Sequence, residues 1–558
     1  MNKIRISVLA VAVIACHLCS AQTVEQGKKF LYYERYKSAQ ETFEKVLAAN
    51  PNNIDAVYWL GMTMVHRKDT KDTAGAKSLF SKMLQTNGNA PQLLAGMGHI
   101  ELMQGNTTDS RQRFETAISL TKGKDINVLN AVGYANVDAK AGDANYAIDK
   151  LGVATQIKNF NNPQTYILIG DAYRKLIDGG NAVTNYQKAL AIDPKLAEAK
   201  FKIGLIYLSQ NNREYFLPAF EDAVNMDPAY CPAYYQLYYY WYSRDVNKAA
   251  TYLDKYAANA DQGPELEYAK TDLLYVSSKF TEARTKAQGL INQMGDKVEP
   301  RMYRMMAYTN DTLNDLPAAR QFMLMFFNKA DTSLVIGGDY EELAKIDGKM
   351  PDSITKTQAF QYYKLAIQRD TLPENKAKFA AEGMELAKKL HDKQAAAEMS
   401  ALLYTTTKNP NAKDLYDFGM ANYSAGNYKT ADSIFCGLYE TKYPDQVFGY
   451  LWCARSKAAQ DDSLSSQGLA VGPYDKLAQM IRSSPDSAKY KGQLLQAYGY
   501  LASYYNNVKK DKNTAISYLK KILEVDPGNP DAQRFIDALS KPPKVVTPQK
   551  PKTGGGAK

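Results

Sequence analysis

Apolar and small residues recur at helical spacing along nearly the whole chain, and short polar turns break the runs. In PQTYILIGDAYRKLIDGGNAVTNYQKALAIDPKL, residues 163–196, Tyr166, Ile169, Gly170 and Tyr173 fall on one face of a helix. Ala182, Tyr186 and Ala189 fall on one face of a second helix, and the intervening DGG reads as a turn. Steps of three and four residues are the helical period, so this stretch predicts a helical hairpin. Pro194 cannot continue a helix and marks where the second one stops. The pattern then repeats, with Gly204, Tyr207, Phe220, Ala223 and Pro228 each 34 residues beyond its counterpart.

Other stretches keep mainly the second helix. Ala39, Phe43, Val46 and Pro51 form one set, followed by Ala76 and Phe80, Phe114 and Ala117, and Ala147, Leu151 and Ala154. Gly419, Ala431, Phe435 and Leu438 repeat the pattern late in the chain, and Ala515, Leu519, Ile522 and Pro527 close it. Small residues belong where two helices cross, because the backbones approach there, and a large residue fills the gap beside them. This spacing resembles the tetratricopeptide repeat, a 34-residue helix–turn–helix unit. The resemblance implies an all-α solenoid of stacked antiparallel helix pairs forming a superhelix, with roughly thirteen or fourteen units between Thr23 and Ser540. Residues 22–299 read as an N-terminal array, 300–411 as degenerate repeats and 412–540 as C-terminal repeats. DAQRFIDAL, 531–539, reads as a capping helix, and KIDGKMPDSITKT (345–357) and DDSLSSQGLAVGP (461–473) as lengthened loops.

AYCPAYYQLYYYWYSR, residues 229–244, is crowded with tyrosine. On the repeat count Tyr234, Leu237, Tyr238 and Trp241 face the packing side, although the place of Tyr238 is usually small. Tyr235, Tyr239 and Tyr242 make a second stripe, which in this family lines the concave groove. The stripe extends to Phe201, Leu205 and Leu208 one unit earlier, to Tyr268, Asp272 and Tyr275 one unit later, and to Arg304 and Tyr308. Ile167, Asp171 and Arg174 hold those positions in the unit at 163. Three readings of the stripe stand: rings buried between neighbouring helices, a surface for a partner peptide or helix, and a platform for saccharide faces.

Charge removes one class of function. Of the net +10, the first 21 residues carry +2 and the last 18 carry +5, leaving +3 on the long body. That balance gives no support to nucleic-acid binding. MNKIRISVLAVAVIACHLCSAQ has the basic head, short apolar run and small residues of a secretory signal, residues 1–21, ending at Ala21 before Gln22. The alternative is a lipobox ending at Cys16, which would then carry lipid. No stretch is long enough to span a bilayer in the mature chain. The final KPPKVVTPQKPKTGGGAK, 541–558, is expected to be a disordered basic tail. Outside the signal the cysteines are Cys231, Cys436 and Cys453; a Cys436–Cys453 bridge is open, but plain buried thiols are the preferred reading.

No catalytic or cofactor motif is present. His17, His66, His99 and His391 are scattered without paired metal spacing, and there is no phosphate loop or activated-serine elbow. The expectation is therefore a non-enzymatic, cofactor-free interaction scaffold, exported to the periplasm or associated with the outer membrane, that binds a protein or peptide in its groove. A glycan-binding protein and a component of an envelope secretion or gliding machine are the alternatives.

Overall fold

The computed structural model describes residues 23–67 and 70–541. The expected export signal, the alternative lipidation site Cys16 and the expected basic tail, 542–558, lie outside them. Among the described residues the chain is helical with no strand, and its 29 helices run as consecutive antiparallel pairs followed by a terminal helix. It divides into two compact units, one up to Val298 and one from Glu299 onward.

The period drives the packing. Ala39, Phe43, Ala76, Phe80, Phe114, Ala117, Ala147, Leu151, Ala182, Tyr186, Phe220 and Ala223 are all buried. Each large residue of this set lies against a small one in the preceding helix. A Cβ on Gly61 would lie 2.2 Å from the Phe80 ring, and one on Gly170 would lie 2.4 Å from the Tyr186 ring. The degenerate stretch keeps the same arrangement with other residues: Ala319, Met323 and Phe326, then Ala359, Tyr363 and Ala366, are buried.

Within a hairpin the turn often follows one recipe. A residue in the left-handed region precedes an aspartate whose carboxylate caps the second helix. Ile177 at φ 62° precedes Asp178, which accepts from Asn181 N, and Asn314 at φ 59° precedes Asp315, which accepts from Ala318 N. His391 with Asp392 and Lys510 with Asp511 do the same.

The second unit brings three corrections to the sequence reading. First, residues 345–357 are not a long loop: one helix runs over Gly337–Lys349 and the next over Ser353–Arg369. The polar residues there sit at helix ends, with Asp352 capping the second helix through Thr355 N. The loop after Gln460, by contrast, is present, and its backbone donates to the carboxylates of Asp461 and Asp462. Second, Leu438 is 45% exposed, and Tyr439, at 4%, holds the packing position instead. The helix spanning 428–442 contains a π-helical stretch, Ser433–Tyr439. Pro444 comes one residue later than the period requires, and the wide turn absorbs that extra residue. Third, Cys436 and Cys453 form a disulfide, with Cα atoms 4.8 Å apart, in place of two thiols. Cys436 lies on that wide turn and Cys453 on the helix Val447–Gln460 that follows. At the end of the described residues, the helix Pro530–Ser540 packs on the last pair.

Candidate functional site: an aromatic cavity in the N-terminal unit

Six helices of the first unit set the site: α1 (Val24–Tyr32), α2 (Tyr36–Ala49), α3 (Ile54–His66), α5 (Pro91–Met103), α7 (Ile126–Asp138) and α9 (Pro163–Lys175). With α11 (Ala197–Ser209), α12 (Arg213–Met226), α13 (Cys231–Trp241) and α14 (Val246–Asn259), they curl until the start of the chain meets residues some 200 positions later. The Tyr33 hydroxyl donates to Asp227 at 2.9 Å, and the Cys231 thiol donates to the Tyr33 carbonyl at 2.7 Å. Tyr32 and Tyr230 touch with ring centroids 5.1 Å apart.

Asp261 is the centre of this closure. In the first hairpin Glu34, at φ 55°, is followed by Arg35 where other hairpins carry the capping aspartate. Arg35 gives α2 no side-chain cap. Asp261 supplies it from the loop after α14, accepting from Lys37 N at 2.7 Å and Ser38 N at 3.1 Å. The same carboxylate accepts from the Ser38 hydroxyl and pairs with Arg35 at 3.3 Å. A carboxylate at a helix N-terminus satisfies unpaired N–H groups and meets the positive end of the helix dipole.

Closure leaves a cavity of about 500 Å³. Tyr32, Tyr36, Tyr58, Trp59, Tyr134, Phe201 and Tyr230 line it with rings. Side-chain amides enter from successive first helices: Gln92 on α5, Asn127 and Asn130 on α7, and Gln164 on α9. Asn130 accepts from the Thr165 hydroxyl at 2.8 Å, whereas the side-chain amides of Gln92, Asn127 and Gln164 make no hydrogen bond to another described residue. The charged residues of the wall include Lys28, Glu34, Asp55, Glu198 and Lys202.

Behind one wall lies a shared-carboxylate network. Asp138 Oδ2 lies 2.9 Å from His99 Nε2 and 3.2 Å from His66 Nε2. His66 Nδ1 lies 2.7 Å from the Met62 carbonyl and donates to it, while the Tyr134 hydroxyl sits 2.8 Å from Nε2. Burial opposes charge on His66, but the hydrogen bond and field of Asp138 outweigh it and raise its pKa. His99 is more deeply desolvated, and there burial wins and lowers the pKa. Burial works against the Asp138 anion too, but its two imidazole partners hold its pKa well below the usual carboxylate range. The two imidazoles on this one carboxylate are therefore shifted in opposite directions, His66 up and His99 down.

The stripe expected from the sequence is dispersed. Phe201 lines the cavity. Leu205 is half-buried beside the aromatic core of α11 to α13, and Leu208 is at the surface. Tyr235 packs on Tyr256 with centroids 5.3 Å apart, Tyr242 packs on Tyr238 at 6.0 Å, and Tyr239 is 66% exposed. Tyr238, unusual for its place, reaches the next first helix and donates to the Ala269 carbonyl at 3.0 Å. Tyr268 is buried with its hydroxyl on the Met294 sulfur, Asp272 is half-buried, and Tyr275 packs on Phe280. Arg304 and Tyr308 belong to the second unit, where Arg304 pairs with Asp339 at 2.8 Å and Tyr308 points to the Gly338 carbonyl. Asp171 is not a groove contact: it is buried, accepting from the Tyr186 hydroxyl at 2.7 Å and from Lys202 at 2.9 Å.

The residues that do meet were readable from the period. Positions 2, 5, 6 and 9 supply the wall from α3 (Asp55, Tyr58, Trp59 and Met62) and α7 (Asn127, Asn130, Ala131 and Tyr134), whereas α5 adds only Gln92 and α9 only Gln164 and Leu168. His66 and His99 looked scattered, but the two first helices that carry them start 37 residues apart, at Ile54 and Pro91, so the rings sit one helical turn out of register on neighbouring helices, with centroids 6.0 Å apart.

Residues 170–211 match the family described as TPR repeat. That span holds the hairpin motifs from Gly170 to Asn211. The fold is a tetratricopeptide-type helical solenoid. Among solved structures, the C-terminal part of a TPR repeat-containing protein from Cytophaga hutchinsonii is 28% identical, covering 48% of this chain and 98% of that one, with a TM-score of 0.26. The APC/C hetero-tetramer Cut9–Hcn1 is 15% identical over 92% of this chain and 95% of that one, with a TM-score of 0.28. YrrB, described as a TPR protein with an unusual peptide-binding site, is 19% identical over 35% and 96%, with a TM-score of 0.22. No curated protein matches the chain. Among the described residues no helix is long and apolar enough to cross a membrane.

Proposed function

We propose that the chain is a non-catalytic scaffold of the cell envelope that holds an extended segment of a partner protein in the N-terminal cavity. The observation that carries this reading is the set of side-chain amides on successive first helices facing a bed of rings. An amide both donates and accepts, so a series of them matches the alternating N–H and C=O of an extended backbone. The rings add contact area at little entropic cost. The apolar export signal of residues 1–21 supports an envelope location. So does the Cys436–Cys453 disulfide, since such bonds persist in oxidising compartments.

The test uses the full chain and the fluorescence of Trp59, with Trp241 and Trp452 replaced by Phe. Extended peptides from a random library are titrated against this protein and against one also carrying Gln92→Ala, Asn127→Ala and Gln164→Ala. The reading expects saturable binding that the triple replacement weakens by about 1 kcal/mol per lost hydrogen bond, roughly a hundredfold together. Binding that is absent, or indifferent to the three amides, refutes it.

A further inference from the structure

Glu198 stands apart from the other charged groups of the cavity. Its side chain is 17% exposed, and the one cation near it is Lys202, 3.7 Å away. Lys202 is committed elsewhere, with two bonds of 2.9 and 3.0 Å to Asp171. The Glu198 carboxylate therefore shares Lys202 with Asp171, keeps further acceptor capacity and lines the cavity. Its own backbone N–H donates to the Tyr32 hydroxyl at 3.3 Å, which fixes the carboxylate beside Tyr32, Phe201 and Tyr230.

The field around it is negative. Glu34 and Asp55 share the lining, and Asp138 and Asp171 stand just behind the wall. Against them are Lys28, already paired with Glu25 at 2.8 Å, Lys202, held by Asp171, and, behind the wall, Arg174 and Lys175. Burial raises the pKa of Glu198, with the fields of Asp171 and Glu34 adding to it and Lys202 opposing. The same negative field, added to burial, raises Tyr32, Tyr36 and Tyr230. A desolvated carboxylate among ring faces, with one shared ammonium 3.7 Å away, has room for a second cation. A guanidinium or ammonium brings both the hydrogen-bond donors and the charge that ring faces attract.

We propose that the cavity selects a segment whose inserted side chain is lysine or arginine, with Glu198 as its acceptor and the rings of Tyr32, Phe201 and Tyr230 as its walls. This rests on the peptide reading above and adds the chemistry of the residue recognised. An acidic or purely apolar insert leaves Glu198 further desolvated with only the Lys202 it shares with Asp171, which is the costlier state.

The test is a titration of the full chain with acetylated and amidated nonapeptides of glycine and serine bearing a central Lys, Arg, norleucine or Glu. The Lys and Arg peptides are expected to bind at least about tenfold tighter than the norleucine peptide, and the Glu peptide weakest. Glu198→Gln, which keeps shape and the backbone bond to Tyr32, is expected to erase that preference. Glu198→Asp is expected to restore part of the preference, which excludes a folding defect as its cause. Equal binding of Lys and norleucine peptides to the unaltered protein, or a preference that survives Glu198→Gln, overturns the assignment and leaves the peptide reading standing. Free spermidine binding as tightly as the Lys peptide also overturns it, because the occupant is then not a chain. Failure of every peptide to bind refutes the peptide reading itself, and the assignment with it.

Discussion

Replacing Asp261 with alanine is the sharpest local perturbation of the closed N-terminal unit. The carboxylate caps α2 through Lys37 N and Ser38 N, accepts from the Ser38 hydroxyl and pairs with Arg35. Loss of a cap costs about 1 kcal/mol. The hydroxyl bond adds about 1 kcal/mol. The ion pair, with its partners 32% and 18% exposed, adds about 0.5 kcal/mol after solvent screening. Closure of the first hairpin should therefore weaken by roughly 2–3 kcal/mol, which is roughly a 30- to 150-fold rise in opening. Amide hydrogen exchange read by mass spectrometry resolves this. Peptides from 24–49 should exchange faster by about that factor, while those from 163–192, held by their own period, stay unchanged. Asp261→Asn keeps an acceptor for the backbone and should lie between the two. Arg35→Ala added to Asp261→Ala should cost little more, because the pair is already broken. If exchange over 24–49 is unaffected, or if the whole unit accelerates equally, the reasoning about closure is wrong.

The histidine pair predicts a split titration in a proton NMR experiment: His66 above the ordinary histidine value and His99 below it. For His66 the raised value means that its stabilising contribution is complete below the unfolded pKa and is lost as pH rises through the folded one. His99 has the opposite sign, losing stability as pH falls below the unfolded value. Asp138→Asn should bring His66 below the ordinary value, and an unchanged His66 contradicts the shared carboxylate. Gly170→Ala puts a Cβ 2.4 Å from the Tyr186 ring and should lower stability by about 1–3 kcal/mol, measured by urea unfolding. A neutral result means the two helices separate freely. Reduction of the Cys436–Cys453 bridge, or Cys453→Ala, should cost about 3 kcal/mol for a closed loop of this length, seen as a lower Tm that reducing agent no longer changes in the variant.

The repeating pairs were legible because one physical rule, small residue against large, is written at fixed intervals. Ala182 with Tyr186 and Ala515 with Leu519 announce their helices without reference to the rest of the chain. The rule also survives substitution, as Met323 and Met399 fill the place of a ring in the stretch that looked degenerate. What was not legible depends on contacts across many repeats. Nothing near Arg35 in the sequence says that its missing cap arrives from Asp261. The tyrosine cluster drew attention to 229–244, but density of rings is not exposure, and most of them serve the core. The rings that line the cavity come one or two per helix, so no single stretch looks rich. Cys436 and Cys453 were hidden by the inserted residue, since the π-helical turn shifts the register that would have placed them opposite each other.

The central claim is that the first hairpin closes onto the loop after α14. It is tested most directly by a distance between spin labels on the exposed positions Lys37→Cys and Gln262→Cys, measured by double electron–electron resonance. Lys37 N lies 2.7 Å from the Asp261 carboxylate, so the account predicts one narrow peak below about 25 Å once two label arms are added. An open array, with neighbouring helices packed about 10 Å apart along six intervening hairpins, would give a broad distribution beyond roughly 40 Å and would contradict it.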